Sequence, residues 1–149
     1  MDDNKKIAWS DTYKLGIKGI DRQHQKLFDL VNELYDLEEN ENIKEDIRKI
    51  LYAFHDYTVV HFKDEENFMK VIKFPDIENH KLIHKNIVDS LYKIINTPAS
   101  LNIIKSKMRV VAKRVLIDHI VNEDTKIKTY QLKNPPKDEE IHNLPDFQE

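Results

Sequence analysis

The chain contains no cysteine. That excludes disulfides, thiolate zinc sites, iron–sulfur clusters and thiol catalysis. Glycine occurs only twice, as Gly16 and Gly19. Glycine-rich phosphate-cradling loops are therefore absent, and a turn-rich β architecture is disfavoured because hairpins lean on glycine at positive φ. No apolar run reaches the roughly eighteen residues needed to span a bilayer. The formal net charge of -3 offers no basic surface for nucleic acid. Lysines and acids are interspersed, so no polybasic membrane anchor stands out. The polar stretch Met1–Lys6 lacks the apolar core of a signal peptide, and a cytoplasmic protein is expected.

What is present is a chain of 149 residues, 40% apolar and 34% charged, sized for one domain with a single core and solvated outer faces. Four segments carry apolar residues at steps of three and four. The first, 21–37, places Leu27, Phe28, Val31, Leu34 and Tyr35 on one stripe. The second, 42–70, does the same with Ile43, Ile47, Ile50, Leu51, Phe54 and Phe68. The third, 76–96, carries Ile87, Val88, Leu91, Ile94 and Ile95. The fourth, 100–128, carries Ile104, Met108, Val111, Val115 and Leu116. The second and fourth would each be ~40 Å long at ~1.5 Å per residue. The links 38–41, 71–75 and 97–99 are short and force sequential helices to be antiparallel neighbours. The expected fold is all-α, an up-down-up-down antiparallel four-helix bundle. Residues 1–20 would form an extended arm across it. Residues 131–149, with Pro135, Pro136 and Pro145, would form an extended or partly disordered tail.

The histidines fall on these stripes. His24 precedes Leu27, Phe28 and Val31 in phase. His61 and Glu65 continue the face of Ile47, Phe54 and Thr58. His80 and His84 share a face with Ile87, Leu91 and Ile94, and His119 follows Met108 and Leu116. A lone inward histidine is more often a hydrogen-bonded core residue than a ligand, and a lone buried glutamate is costly to ionise. Five histidines and a glutamate in one bundle interior cannot satisfy one another cheaply, and bound cations resolve the whole set. In an antiparallel bundle all six sit at one end. Five imidazoles exceed what one tetrahedral zinc needs. The number suits two metals with bridging carboxylates. Imidazole suits iron, copper, nickel and zinc, and mixed nitrogen and oxygen ligation suits iron well. His80 and His84 lack the intervening glutamate of the zinc-protease motif. His55 follows Phe54 by one and is expected at the surface. Glu139 and His142 have the ExxH spacing of di-iron oxidases, but a single copy in a proline-rich tail does not make such a site.

With these residues in hand, the sequence resembles the hemerythrin family in its stand-alone bacterial form. The matching stretches are Trp9, GIKGIDRQH at 16–24, HFKDEENFM at 61–69, FP at 74–75, HKLIH at 80–84 and HIVNED at 119–124. They span about residues 7–130. The resemblance implies two iron ions (Fe2+/Fe3+) with an oxo or hydroxo bridge. It assigns His80, His84 and His119 to one iron, His24 and His61 to the other, and Glu65 and Asp124 to both. It implies reversible dioxygen binding at the iron with the open position, for storage, delivery or scavenging. Asp124 is the ligand that helical periodicity misses. It follows His119 by five residues, a rotation of about 140° on a regular helix. A π-type widening near 119–124 is expected, as such sites often use.

The expected oxygen pocket is Leu27, Phe28, Phe62, Leu116 and Ile120. Val115, Ile87 and Ile127 stand where the family usually has tryptophan, phenylalanine and tyrosine, and Val115 is expected to widen access to the open iron. No candidate general acid or base sits in the core beyond the ligands, so a non-enzymatic role is expected. The alternatives are oxygen or redox sensing through the arm or through an acidic tail that binds a protein partner, and a di-iron redox enzyme acting on peroxide or nitric oxide.

Overall fold

A computed structural model describes residues 6–137, 141 and 143–148. The first five residues of the expected arm, and Glu139 and His142 of the tail, lie outside the described residues. Among those described there is no strand. Helix α1 is Lys18–Tyr35, α2 is Ile43–Val71, α3 is Ile77–Ile95 and α4 is Leu101–Ala112. Two wide-turn segments, Lys113–Asp118 and Ile120–Asp124, continue α4 into α5, Thr125–Lys133. These make the four rods of an all-α bundle, with residues 101–133 forming the fourth.

Local chemistry explains where the rods begin and end. Gly16 adopts φ +81, a conformation open to glycine without strain. The Asp21 carboxylate closes that turn, accepting the backbone N–H of Leu15 at 2.7 Å and of Gly16 at 3.1 Å. The acid then lies in the first turn of α1, where the helix dipole favours negative charge. Helix α2 ends in a Schellman arrangement with Lys73 at φ 58. The N–H of Phe74 donates to Met69 O at 2.9 Å and that of Lys73 to Lys70 O at 3.2 Å. Ser100 caps α4 through its hydroxyl, which accepts from Ile103 N–H. Helix α5 stops at Lys133 because Asn134 precedes Pro135, which disfavours helical backbone; Asn134 takes φ -133 and ψ 69.

The arm is pinned rather than loose. Asn32 both donates to Ile7 O and accepts from Ile7 N–H. Trp9 meets Phe28 edge-on at 5.3 Å, and Tyr13 stacks on the same ring at 5.9 Å. The tail also folds back. Leu144 and Phe147 pack with Leu15, Ile20, Phe68, Met69, Ile72, Phe74 and Ile127. This small cluster is separate from the main core, which includes Leu27, Phe28, Phe54, Met108 and Leu116. The buried histidines, Gln23, Asp64, Glu65 and Asp124 fall between the two clusters, so the bundle has an apolar body, a polar layer and an apolar cap; Lys105 lies apart from that layer and donates to Leu37 O.

Candidate metal centre

The polar layer brings together all seven residues singled out from the sequence. His24, His61, Glu65, His80, His84, His119 and Asp124 are all buried, and Glu65 and Asp124 are fully so. Their donor atoms fall into two sets. Glu65, His80, His84, His119 and Asp124 form one, and His24, His61, Glu65 and Asp124 form the other, each with atoms within 4.8 Å of one another. The carboxylates belong to both. Glu65 Oε1 lies 2.9 Å from His80 Nε2 and 3.1 Å from His84 Nε2, while its Oε2 lies 3.3 Å from His61 Nε2. Asp124 Oδ1 lies 3.1 Å from both His80 Nε2 and His119 Nε2, while its Oδ2 lies 3.2 Å from His24 Nε2. Each carboxylate thus turns one oxygen toward the three-histidine set and the other toward the two-histidine set.

Asp124 reaches this layer through the wide turns. His119 N–H donates to Arg114 O, and Thr125 N–H donates to Ile120 O, both five residues back. A five-residue hydrogen bond widens the turn and cuts the rotation per residue. The 119-to-124 step then returns to the same face, which a regular helix would not allow.

Metal donors are what this layer lacks partners for. His24 Nδ1 and Nε2, His119 Nδ1 and Nε2, Glu65 Oε2 and Asp124 Oδ2 are buried without a hydrogen-bond partner. Leaving such groups unsatisfied costs about 1–3 kcal/mol each. The donor set, neutral imidazoles with two shared carboxylates, fits a pair of cations of intermediate softness such as iron.

Burial and neighbouring charges shift the layer's titrating groups in different directions. Burial works to lower the His80 pKa, but hydrogen bonds to Asp124 and Glu65 outweigh it and push it up to about 10. His84 is raised in the same way by Glu65 and Glu66, against its burial. His61, where burial dominates, is lowered. Burial works to raise Glu65, but hydrogen bonds from His61, His80 and His84 hold it well below the usual carboxylate range. Asp124 is held low by His119 and His24 against burial and the Glu65 charge.

Three residues beyond the sequence-derived set orient the rings. The Nδ1–H of His61 donates to Gln23 Oε1 at 2.8 Å, and that of His84 to Glu66 Oε2 at 2.8 Å. Gln23 in turn donates to Asp64 Oδ2 at 2.8 Å. Holding Nδ1 as the protonated nitrogen leaves the Nε2 lone pair for a metal. Gln23 was detectable in principle: it is an uncharged polar residue on the buried stripe, one turn from Ile20 and Leu27. His55 lies apart, half-buried, beside Asp56.

Leu27, Phe28, Phe62, Leu116 and Ile120 are buried together around the layer. Phe62 stacks flat on the His84 ring at 3.7 Å. Val115 and Ile87 line a cavity of about 300 Å³ that reaches His119, in the three-histidine set. The access expected from Val115 leads to the open iron; the cavity instead opens beside His119, on the three-histidine side, and neither His24 nor His61 lines it. Ile127 is fully buried in the cap beneath Asp124. No helix among the described residues is long and apolar enough to cross a membrane.

A family model described as "Hemerythrin HHE cation binding domain" matches residues 15–130. A bacteriohemerythrin of Campylobacter jejuni is 30% identical over 112 residues, covering 74% of this chain and 84% of that protein. A myohemerythrin of Theromyzon tessulatum is 32% identical over 120 residues, covering 80% and 89%. A bacteriohemerythrin of Pseudomonas aeruginosa is 25% identical over 118 residues, covering 79% and 76%.

Proposed function

The chain belongs to the hemerythrin family, and from that premise we propose that it binds dioxygen reversibly at a non-haem di-iron centre. Membership brings non-haem iron and an oxygen-related role, and the buried histidine and carboxylate cluster suits both. One observation carries the finer reading: each of two buried carboxylates spans a three-histidine set and a two-histidine set. His80, His84 and His119 would hold one iron, His24 and His61 the other, and Glu65 and Asp124 would bridge them. Such an iron pair would supply the two electrons that dioxygen takes up on binding and gives back on release.

The chain's own residues set the rest. The two-histidine set offers one donor fewer than the three-histidine set, which leaves a coordination position for dioxygen on that side. Phe28, Leu27 and Leu116, at 2%, 1% and 1% exposure, keep bulk water from the layer. Gln23 and Glu66 hold the ring protons on Nδ1 and so aim Nε2 inward. The acids at the layer outside the ligand set, Asp64 and Glu66, are engaged in orienting Gln23 and His84, which favours carriage over catalysis. Oxygen or redox sensing is the second reading, favoured by the tail segment bonded to Gln23.

The test is to reduce the protein without oxygen, admit oxygen, and follow the visible spectrum through repeated cycles. A charge-transfer band that appears and bleaches reversibly supports carriage. One-way conversion to the oxidised form favours redox chemistry or sensing, and purified protein holding zinc instead of iron overturns the reading.

A further inference from the structure

The tail is joined to the metal layer by a continuous chain of hydrogen bonds. Gln23 Nε2 has two hydrogens, and both are used. One goes to Asp64 Oδ2 and the other, at 2.8 Å, to the backbone carbonyl of Gln148. The N–H of Gln148 then donates to the same Asp64 oxygen at 2.9 Å. With both amide hydrogens committed, Gln23 Oε1 must face His61 and accept from its Nδ1–H. Gln23 is fully buried and Asp64 nearly so.

The tail is anchored by more than this. Arg22 donates to Phe147 O at 3.1 Å, and the Phe147 ring lies 6.0 Å from that of Phe68. The seat for the ring is Gly19, where a Cβ would overlap Phe147. Gly19 lies within α1 without a positive φ, so its lack of a side chain serves this approach and no turn. Residues 144–148 lie beyond the stretch 15–130 that the family model covers.

We propose that residues 144–148 are a strap that positions His61: Phe147 docks in the Gly19 notch, and the Gln148 backbone locks Gln23 and Asp64 in the orientation that keeps the His61 proton on Nδ1. These are positioning residues, since none touches the donor atoms themselves. The effect on metal retention rests on the di-iron reading; the effect on the His61 ring proton does not.

The test uses three variants: Gly19→Ala, a chain ended after Asn143, and the two combined. Alanine is the better helix former at position 19, so the substitution removes the notch without weakening α1. Two quantities are read: loss of Fe(II) from the anaerobically loaded protein to a chromogenic chelator, and the His61 ring N–H resonance of the metal-free protein. The expected result is iron loss about tenfold faster in each variant, the scale for removing support from a ligand. The His61 N–H exchanges faster, while the His84 N–H, held by Glu66, does not change. The combined variant behaves as the shortened chain does, because the alanine acts only through the tail. Unchanged His61 exchange in the shortened chain overturns the proposal, as does equal loss of the His61 and His84 signals. If the wild type takes up no iron, the di-iron reading fails, and the ring resonances still decide the strap.

Discussion

Metal must displace protons from this centre, and the displacement sets a measurable pH dependence. His80 is held at about 10 in the metal-free protein against an ordinary value of 6.5. It is therefore protonated at neutral pH, its charge facing Glu65 and Asp124 from 2.9 Å and 3.1 Å. Metal binding at the three-histidine set would expel that proton. Apparent affinity should rise about tenfold per pH unit, or ~1.4 kcal/mol, from pH 6.5 upward until it levels near 10. His84, also raised, adds a second proton and a steeper slope at the low end. Between pH 6.5 and about 8.5 the gain is on the order of a hundredfold. The stability of the metal-free chain runs the other way. A folded pKa above the unfolded one stabilises fully below pH 6.5, and that stabilisation is lost as pH rises through about 10. The lowered carboxylates act oppositely, stabilising above the usual carboxyl range and losing that contribution as pH falls. Anaerobic Fe(II) titration calorimetry in buffers of different ionisation enthalpy reads both affinity and proton release. A flat affinity across the window, with no proton released, would refute the reasoning.

Three further outcomes follow from the same geometry. Glu65→Gln keeps the shape of a fully buried side chain but supplies one oxygen where two sets each use one. Elemental analysis should find the iron content cut by half or more, with helicity by circular dichroism unchanged; a full complement of two irons would count against the bridging role. Val115→Trp should fill the cavity beside His119 and slow accumulation of the oxidised form in air, and an unchanged rate would mean that the cavity is not the access route. Ile127→Ala removes a fully buried side chain from the cap beneath Asp124 and should cost about 2–4 kcal/mol in urea unfolding. A loss well under 1 kcal/mol would show that the cap does not hold the end of the bundle.

Period and phase made most of the bundle legible. His24, His61, Glu65, His80, His84 and His119 could be placed because regular helices hold a constant angle from their apolar stripes, and antiparallel neighbours set their common depth. Asp124 broke that rule. The hydrogen bonds from His119 to Arg114 and from Thr125 to Ile120 change the angle locally, and nothing in the order of residue types announces a five-residue bond. Its role came from resemblance. The docking of the tail is hidden from the sequence for a different reason. Prolines and acids around it read as an extended or partly disordered segment, yet Leu144 and Phe147 are packed into the cap. The seat for Phe147 is a missing side chain at Gly19, far away in sequence, and a notch formed by two distant elements has no local signature. Gln23 shows in the sequence only as a polar residue on a buried stripe, and Glu66, at the edge of the layer, has no signal; both orient rings rather than offer donors.

The central claim is that two shared carboxylates organise two metals. Anomalous diffraction at the iron absorption edge, from crystals grown with ferrous iron, tests it most directly. The account predicts two iron peaks in the polar layer, one among His80, His84 and His119 and the other between His24 and His61, with Glu65 and Asp124 each touching both. A single peak, or a second peak outside this layer, would contradict it.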